Sequence, residues 1–163
     1  FNVRRMKMKA TRFITQAAVI AAMYAALTVL LTPISSGLFQ IRISEALTVL
    51  PVFTPAAIPG LFVGCIAANI VSGNGIIDIV FGSLATLAAA FLSYKMPRRY
   101  LVPLPPVVVN GIVVGFILNY VLNAPLLLAM GLVTLGQAIA CYGLGYPLMM
   151  LLEKHKNRVF KKG

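Results

Sequence analysis

The sequence predicts an all-α membrane protein with six transmembrane helices and both termini cytoplasmic. Three observations predict it. Of 163 residues, 60% are hydrophobic and only 10% charged, with a mean hydropathy of +0.95. A soluble domain needs a larger polar share for its surface, so the bilayer is read as the solvent. Second, of the 14 basic residues all but Arg42 lie in three short segments flanking apolar runs. These are Arg4, Arg5, Lys7, Lys9 and Arg12; Lys95, Arg98 and Arg99; and Lys154, Lys156, Arg158, Lys161 and Lys162. Third, an even count of spans places all three on one face of the membrane, which fits the excess of Lys and Arg in cytoplasmic loops. A net charge of +11 arranged this way favours a membrane surface over nucleic acid.

Each element follows from its boundaries. The basic segment 1–12 precedes the first span, Phe13 to Thr32, which Pro33 closes. That run is longer than a signal-peptide core and no small-residue cleavage site follows, so it reads as a retained helix. A short second span covers Ser44 to Phe53, punctuated by Pro51, Pro55 and Pro59. The third covers Ala57 to Val71. Ser72 to Gly75 (SGNG) is a turn, because Gly and Asn tolerate positive φ. The fourth runs from Ile76 to Tyr94, the fifth from Val107 to Leu122 and the sixth from Pro125 to Leu152. The membrane domain thus covers 13–153, followed by a basic tail at 154–163. Cys65 and Cys141 fall inside apolar runs and read as free packing residues.

Small residues recur at helix-packing spacing. Ala17, Ala21 and Ala25 form one stripe on the first span, with Ala18, Ala22 and Ala26 beside it. Gly82, Thr86 and Ala90 form another, and Gly111 and Gly115 a third. Lipid supplies little hydrophobic force between helices, so close backbone approach must hold them together. Such a stripe serves internal packing or docking of a second membrane protein.

Charge inside the spans is scarce and one-sided. Arg42 and Glu45 begin the second span, Asn69 ends the third and Asp78 begins the fourth. Asn119, Tyr120 and Asn123 close the fifth, and Gln137 lies halfway along the sixth. The predicted orientation puts nearly all of them in the outer half. Ionisable groups in a bilayer cost roughly 2.5–3.5 kcal/mol each at its centre, so they should face a cavity or one another. Structural roles are open to each: an ion pair for Arg42 and Glu45, a helix cap for Asp78, interhelical hydrogen bonds for the amides. Their convergence favours an outward-facing ligand pocket. Neither a phosphate-binding loop nor an embedded catalytic or metal-ligand cluster is present, and the only histidine, His155, lies in the tail. That points away from an enzyme.

The strings IRISEALTVLPVFTPAAIPGLFVGCIAANI and DIVFGSLATLAAA, followed by PLPPVVVNGIVVG and ACYGLGYPL, resemble the QueT family of membrane proteins. The likeness covers Phe13 to Glu153. It implies a substrate-binding S-component of an energy-coupling factor (ECF) transporter for queuosine precursors. Its implied partners are a coupling membrane subunit and two ABC-type ATPases, which use the ATP; no cofactor is implied in this chain. The alanine face of the first helix is implied to dock the coupling subunit through Ala17, Ala21 and Ala25 or through Ala18, Ala22 and Ala26. The implied ligands are 7-deazaguanines: the aminomethyl or cyano precursor, or queuine. Relatives of that kind are expected to carry Glu near Gln137 and a further acid near Leu118, so this pocket reads as less acidic.

That ligand gives the polar residues candidate roles. A carboxylate, Glu45 or Asp78, would accept the paired N–H donors of a guanine edge, and the other would meet an aminomethyl cation. Arg42 would donate to the ring carbonyl or hold Glu45 ionised. Phe39 or Tyr120 would stack on the base. Asn69, Asn119 and Gln137 complete the candidate set. The competing reading is an ion-coupled secondary carrier of a small polar metabolite with Glu45 or Asp78 as proton site; the absence of evident internal repeats weighs against it.

Overall fold

A computed structural model describes residues 2–35 and 37–160, and among them it is helical throughout with no strand. Helix α1 is Asn2–Leu30, so the described part of the basic segment is helical and continuous with the first span. A short α2 (Thr32–Ser35) follows. The predicted second span is a 3-10 helix of 10 residues, Ile43–Val52, with Ser44 to Pro51 all buried. At about 2 Å rise per residue it reaches only about 20 Å, less than the ~30 Å hydrocarbon core. It is an inner element surrounded by α1, α4 and the last long helix.

Helix α3 is Ala57–Ser72. The next helix runs over 76–95, with a π-helical turn at Asp78–Gly82 leading into α4 (Ser83–Lys95). A 3-10 turn at Arg99–Leu101 precedes α5 (Leu104–Leu122). The last long helix comprises α6 (Leu126–Ala138), a π segment at Ile139–Gly145 and α7 (Tyr146–Lys154), with α8 (Lys156–Val159) closing the described chain. Among the described residues three stretches are long and apolar enough to cross a membrane: Lys9–Leu30, Arg99–Leu122 and Leu126–Lys154. Ile43–Val52 and Ala57–Ser72 are shorter apolar helices.

Close backbone approach holds the bundle. A Cβ on Gly64 would lie 2.8 Å from the Ala21 carbonyl oxygen, so α3 rests directly on the backbone of α1. Ile20, Tyr24, Leu47, Leu50, Leu61 and Cys65 fill the space around that contact. A second cluster, Val114, Leu118, Ala129 and Val133, joins α5 to α6. Gly136 matters most for the site. A Cβ there would lie 1.9 Å from the Gln40 carbonyl oxygen, so only glycine lets the segment carrying Arg42 lie against α6. Gly136→Ala should therefore lower stability by about 1–3 kcal/mol, because backbone must move. Gly131→Ala on the same helix has open space around it and should leave the melting temperature level or higher. Thermal melts of the two variants in one detergent provide the comparison.

The bundle has two chemically different ends. Toward one lie Gln16 bonded to Thr54, Ser93 bonded to the Val102 carbonyl, a salt bridge between exposed Arg99 and partly buried Glu153, and Phe160 stacked on Phe53. The described members of all three basic clusters sit there; Lys161 and Lys162 lie outside the described residues. Toward the other lie Ser35, Gln40, Asn74 and Asp78.

Candidate ligand-binding site

Glu45 is held by the 3-10 helix with no exposure at all. Its Oε1 accepts hydrogen bonds from the Tyr24 hydroxyl on α1 and from the Thr86 hydroxyl on α4 at 3.1 Å. Its main-chain carbonyl accepts from Thr48, at 2.6 Å, and weakly from the Cys141 thiol. A second link between α1 and this helix runs from Thr28 to Ser44, 2.6 Å apart. The carboxylate is thus tied through one oxygen. Its Oε2 is buried with no protein partner.

Asn69 organises the neighbouring charges. Its side-chain oxygen accepts from Arg42 Nη2 at 2.6 Å and from Asn74 at 3.1 Å, while its amide donates to the Asp78 carbonyl at 3.0 Å. Arg42, 3% exposed, keeps a buried Nε without an acceptor, and Asp78 keeps a buried Oδ1 without a donor. Asp78 sits in the π-helical turn, an insertion often found at functional sites. Arg42 makes no salt bridge with Glu45 or Asp78: among the described residues only Arg99 and Glu153 form one. The ion pair considered for Arg42 and Glu45 is not made, because Asn69 takes the guanidinium and Tyr24 and Thr86 take the carboxylate. Asp78 does not sit at a helix cap either, because it lies in the π turn inside the helix that runs over 76–95.

The network continues inward. Thr86 and Asn69 both approach the Cys65 sulfur, at 3.5 and 3.6 Å. On the other side Gln137 accepts from Asn110 at 3.4 Å and its oxygen lies 3.8 Å from the Cys141 sulfur, and Asn110 Oδ1 has no partner. A cavity of about 170 Å³ opens beside this network, lined by Ser35, Gln40, Asn74, Asp78, Ile117 and Leu118 among others. Each unpartnered buried polar atom costs about 1–3 kcal/mol, and more when charged. Sites that carry several such atoms in one network are suited to a ligand that completes them.

The model of the QueT transporter family matches residues 14–154. The chain belongs to the QueT transporter family. A curated relative from Lactococcus lactis subsp. cremoris (strain MG1363), described as queuosine precursor transporter QueT, is 33% identical over 97 residues. That match covers 58% of this chain and 57% of the relative, so it spans less than two thirds of the relative's length. No solved structure matches.

Within this QueT-family chain the predicted residues separate into two groups. Arg42, Glu45, Asn69, Asp78 and Gln137 belong to the connected network, although only Asp78 lines the cavity. The other three stand apart. Asn119 donates to the Ala124 carbonyl at 2.6 Å, closing the α5–α6 turn where Asn123 adopts a φ of 53°. Tyr120 is 75% exposed on the outward face of α5, in a groove with Phe81 and Phe116. Phe39 is exposed too, since its neighbours Leu38 and Gln40 turn inward. Neither aromatic ring meets the network.

Sequence reasoning missed Tyr24, Thr86, Thr48 and Asn110, and gave the cysteines no role beyond packing. The alanine stripes also divide. Ala17, Ala21 and Ala25 are partly buried, with Ala17 and Ala21 backing onto α3, while Ala18, Ala22 and Ala26 are exposed. Tyr24→Phe should destabilise this QueT-family fold by about 1.5–3 kcal/mol, because a buried carboxylate loses a donor. A melt compared with Thr86→Val, which removes the longer of the two bonds, checks it: Tyr24→Phe should be the lower.

Proposed function

We propose that this chain is the substrate-capture component of an ATP-driven importer of the energy-coupling factor type, binding a 7-deazaguanine queuosine precursor. In this reading the chain makes six passes, the second being the buried 3-10 helix, which runs between the two ends inside the bundle although it is shorter than the hydrocarbon core; both termini are cytoplasmic, and the polar end faces outward. The observation that carries it is a group of buried, unpartnered side-chain atoms: Ser35 Oγ and Asp78 Oδ1 of residues lining the polar-end cavity, Arg42 Nε and Glu45 Oε2 in the network beside it, and Asn110 Oδ1 deeper in the bundle. A guanidinium donor, carboxylate and amide acceptors and a hydroxyl that can do either complement a ring that offers a carbonyl, an N1–H and an exocyclic amine. The family's description as a transporter and the printed name of the Lactococcus relative support the same reading.

The energy source comes from partners in this proposal: a coupling membrane subunit and two ABC-type ATPases. The exposed Ala18, Ala22 and Ala26 suit the docking contact better than the partly buried stripe, because small side chains admit a neighbouring helix closely. Precursor uptake in cells should vanish when the partner ATPases are inactivated and persist under a protonophore while ATP is maintained. Uptake lost under the protonophore and indifferent to the ATPases would instead assign the carboxylates to an ion-coupled carrier.

A further inference from the structure

A second cavity lies toward the basic end, away from the polar network. It is a groove of about 320 Å³ whose walls are Val19 and Met23 of α1 and Leu148 and Leu152 of α7, with Leu47 and Leu50 of the 3-10 helix between them. Thr15, Gln16, Val159 and Phe160 border its basic end. Stacking of Phe160 on Phe53, 5.4 Å between centroids, fixes α8 there. We propose that this groove binds one acyl chain of an anionic phospholipid, with the headgroup against the basic residues at its mouth.

Charge complementarity selects that occupant. Arg12, Gln16, Val19 and Met23 follow at intervals of four, three and four, so they share one face of α1. The groove's own wall therefore continues into an exposed guanidinium one turn below it. Lys156 and Arg158 adjoin Val159 on α8, and both are exposed. Of the three acidic residues, Glu153 is engaged by Arg99 and the other two belong to the polar network. An apolar slot that ends in basic groups fits a lipid with a negative headgroup better than a zwitterionic one.

The test is native mass spectrometry of the detergent-purified protein after incubation with phosphatidylglycerol or phosphatidylcholine carrying the same acyl chains. Wild type should retain one phosphatidylglycerol in preference to phosphatidylcholine, and added salt should reduce that preference. The double variant Arg12→Gln, Lys156→Gln should reduce it roughly fivefold for each charge removed. Val19→Trp, at a position 53% exposed, should fill the groove and abolish retention of both lipids without unfolding the protein. Equal retention of the two lipids by wild type overturns the proposal. So does unchanged phosphatidylglycerol binding in either variant. Loss of partner-protein assembly in Val19→Trp with lipid retention intact would assign the groove to a protein.

Discussion

Glu45→Gln should weaken binding of a 7-deazaguanine roughly 10- to 100-fold, the worth of a charge-assisted hydrogen bond of about 1.5–3 kcal/mol. The size of the effect follows from how the carboxylate is held. Tyr24 and Thr86 both bond Oε1, leaving Oε2 buried and open. The amide of Gln would meet Tyr24 and Thr86 with its oxygen and turn a donor toward the ligand's own donors. Asp78→Asn should act differently, because Asp78 borders the cavity while Glu45 does not. If Asp78 meets the aminomethyl cation, its loss lowers affinity for that precursor and spares the cyano one, which has no cation to pair. Loss at the guanine edge lowers both. Titrating each precursor against both variants separates these roles; unchanged affinity in both, with melts intact, would make the two carboxylates structural.

Ala21→Leu and Ala22→Leu should part company although the residues are adjacent. The Ala21 backbone lies against Gly64, where a Cβ would come within 2.8 Å of its carbonyl oxygen. A larger side chain on that face forces α1 from α3 and should cost about 1–3 kcal/mol. Ala22 faces outward, so its leucine variant should melt within about 0.5 kcal/mol of wild type. It should nevertheless fail to co-purify with the coupling subunit while keeping ligand affinity. Intact assembly and transport by Ala22→Leu would leave that stripe facing lipid only.

Helical class, the long apolar passes and the two-ended distribution of charge were legible because they depend on composition and on charge position along the chain. The state of the short second element was not. From its sequence it reads as a short span, and only the surrounding bundle shows that Ser44 to Pro51 are all buried. Within the site, Arg42, Glu45, Asn69 and Asp78 stood out because charge and amide groups are conspicuous among apolar neighbours. Tyr24 and Thr86 did not: a tyrosine or threonine in a membrane helix carries no sign of which way its hydroxyl points. The π-helical turn that sets Asp78 has no periodicity signal either. Tyr120 is turned outward by the rotation of α5 and is 75% exposed, a placement that its position in the sequence does not reveal.

The most direct measurement is the small molecule held by the wild-type protein. Purified from cells that make or import queuosine precursors, then unfolded and analysed by mass spectrometry, it should release a 7-deazaguanine at about one per chain. Protein stripped of that molecule should rebind the aminomethyl or cyano precursor saturably, and Glu45→Gln should rebind it poorly. Recovery of no 7-deazaguanine, together with no saturable binding of either precursor to wild type, would contradict the proposed function.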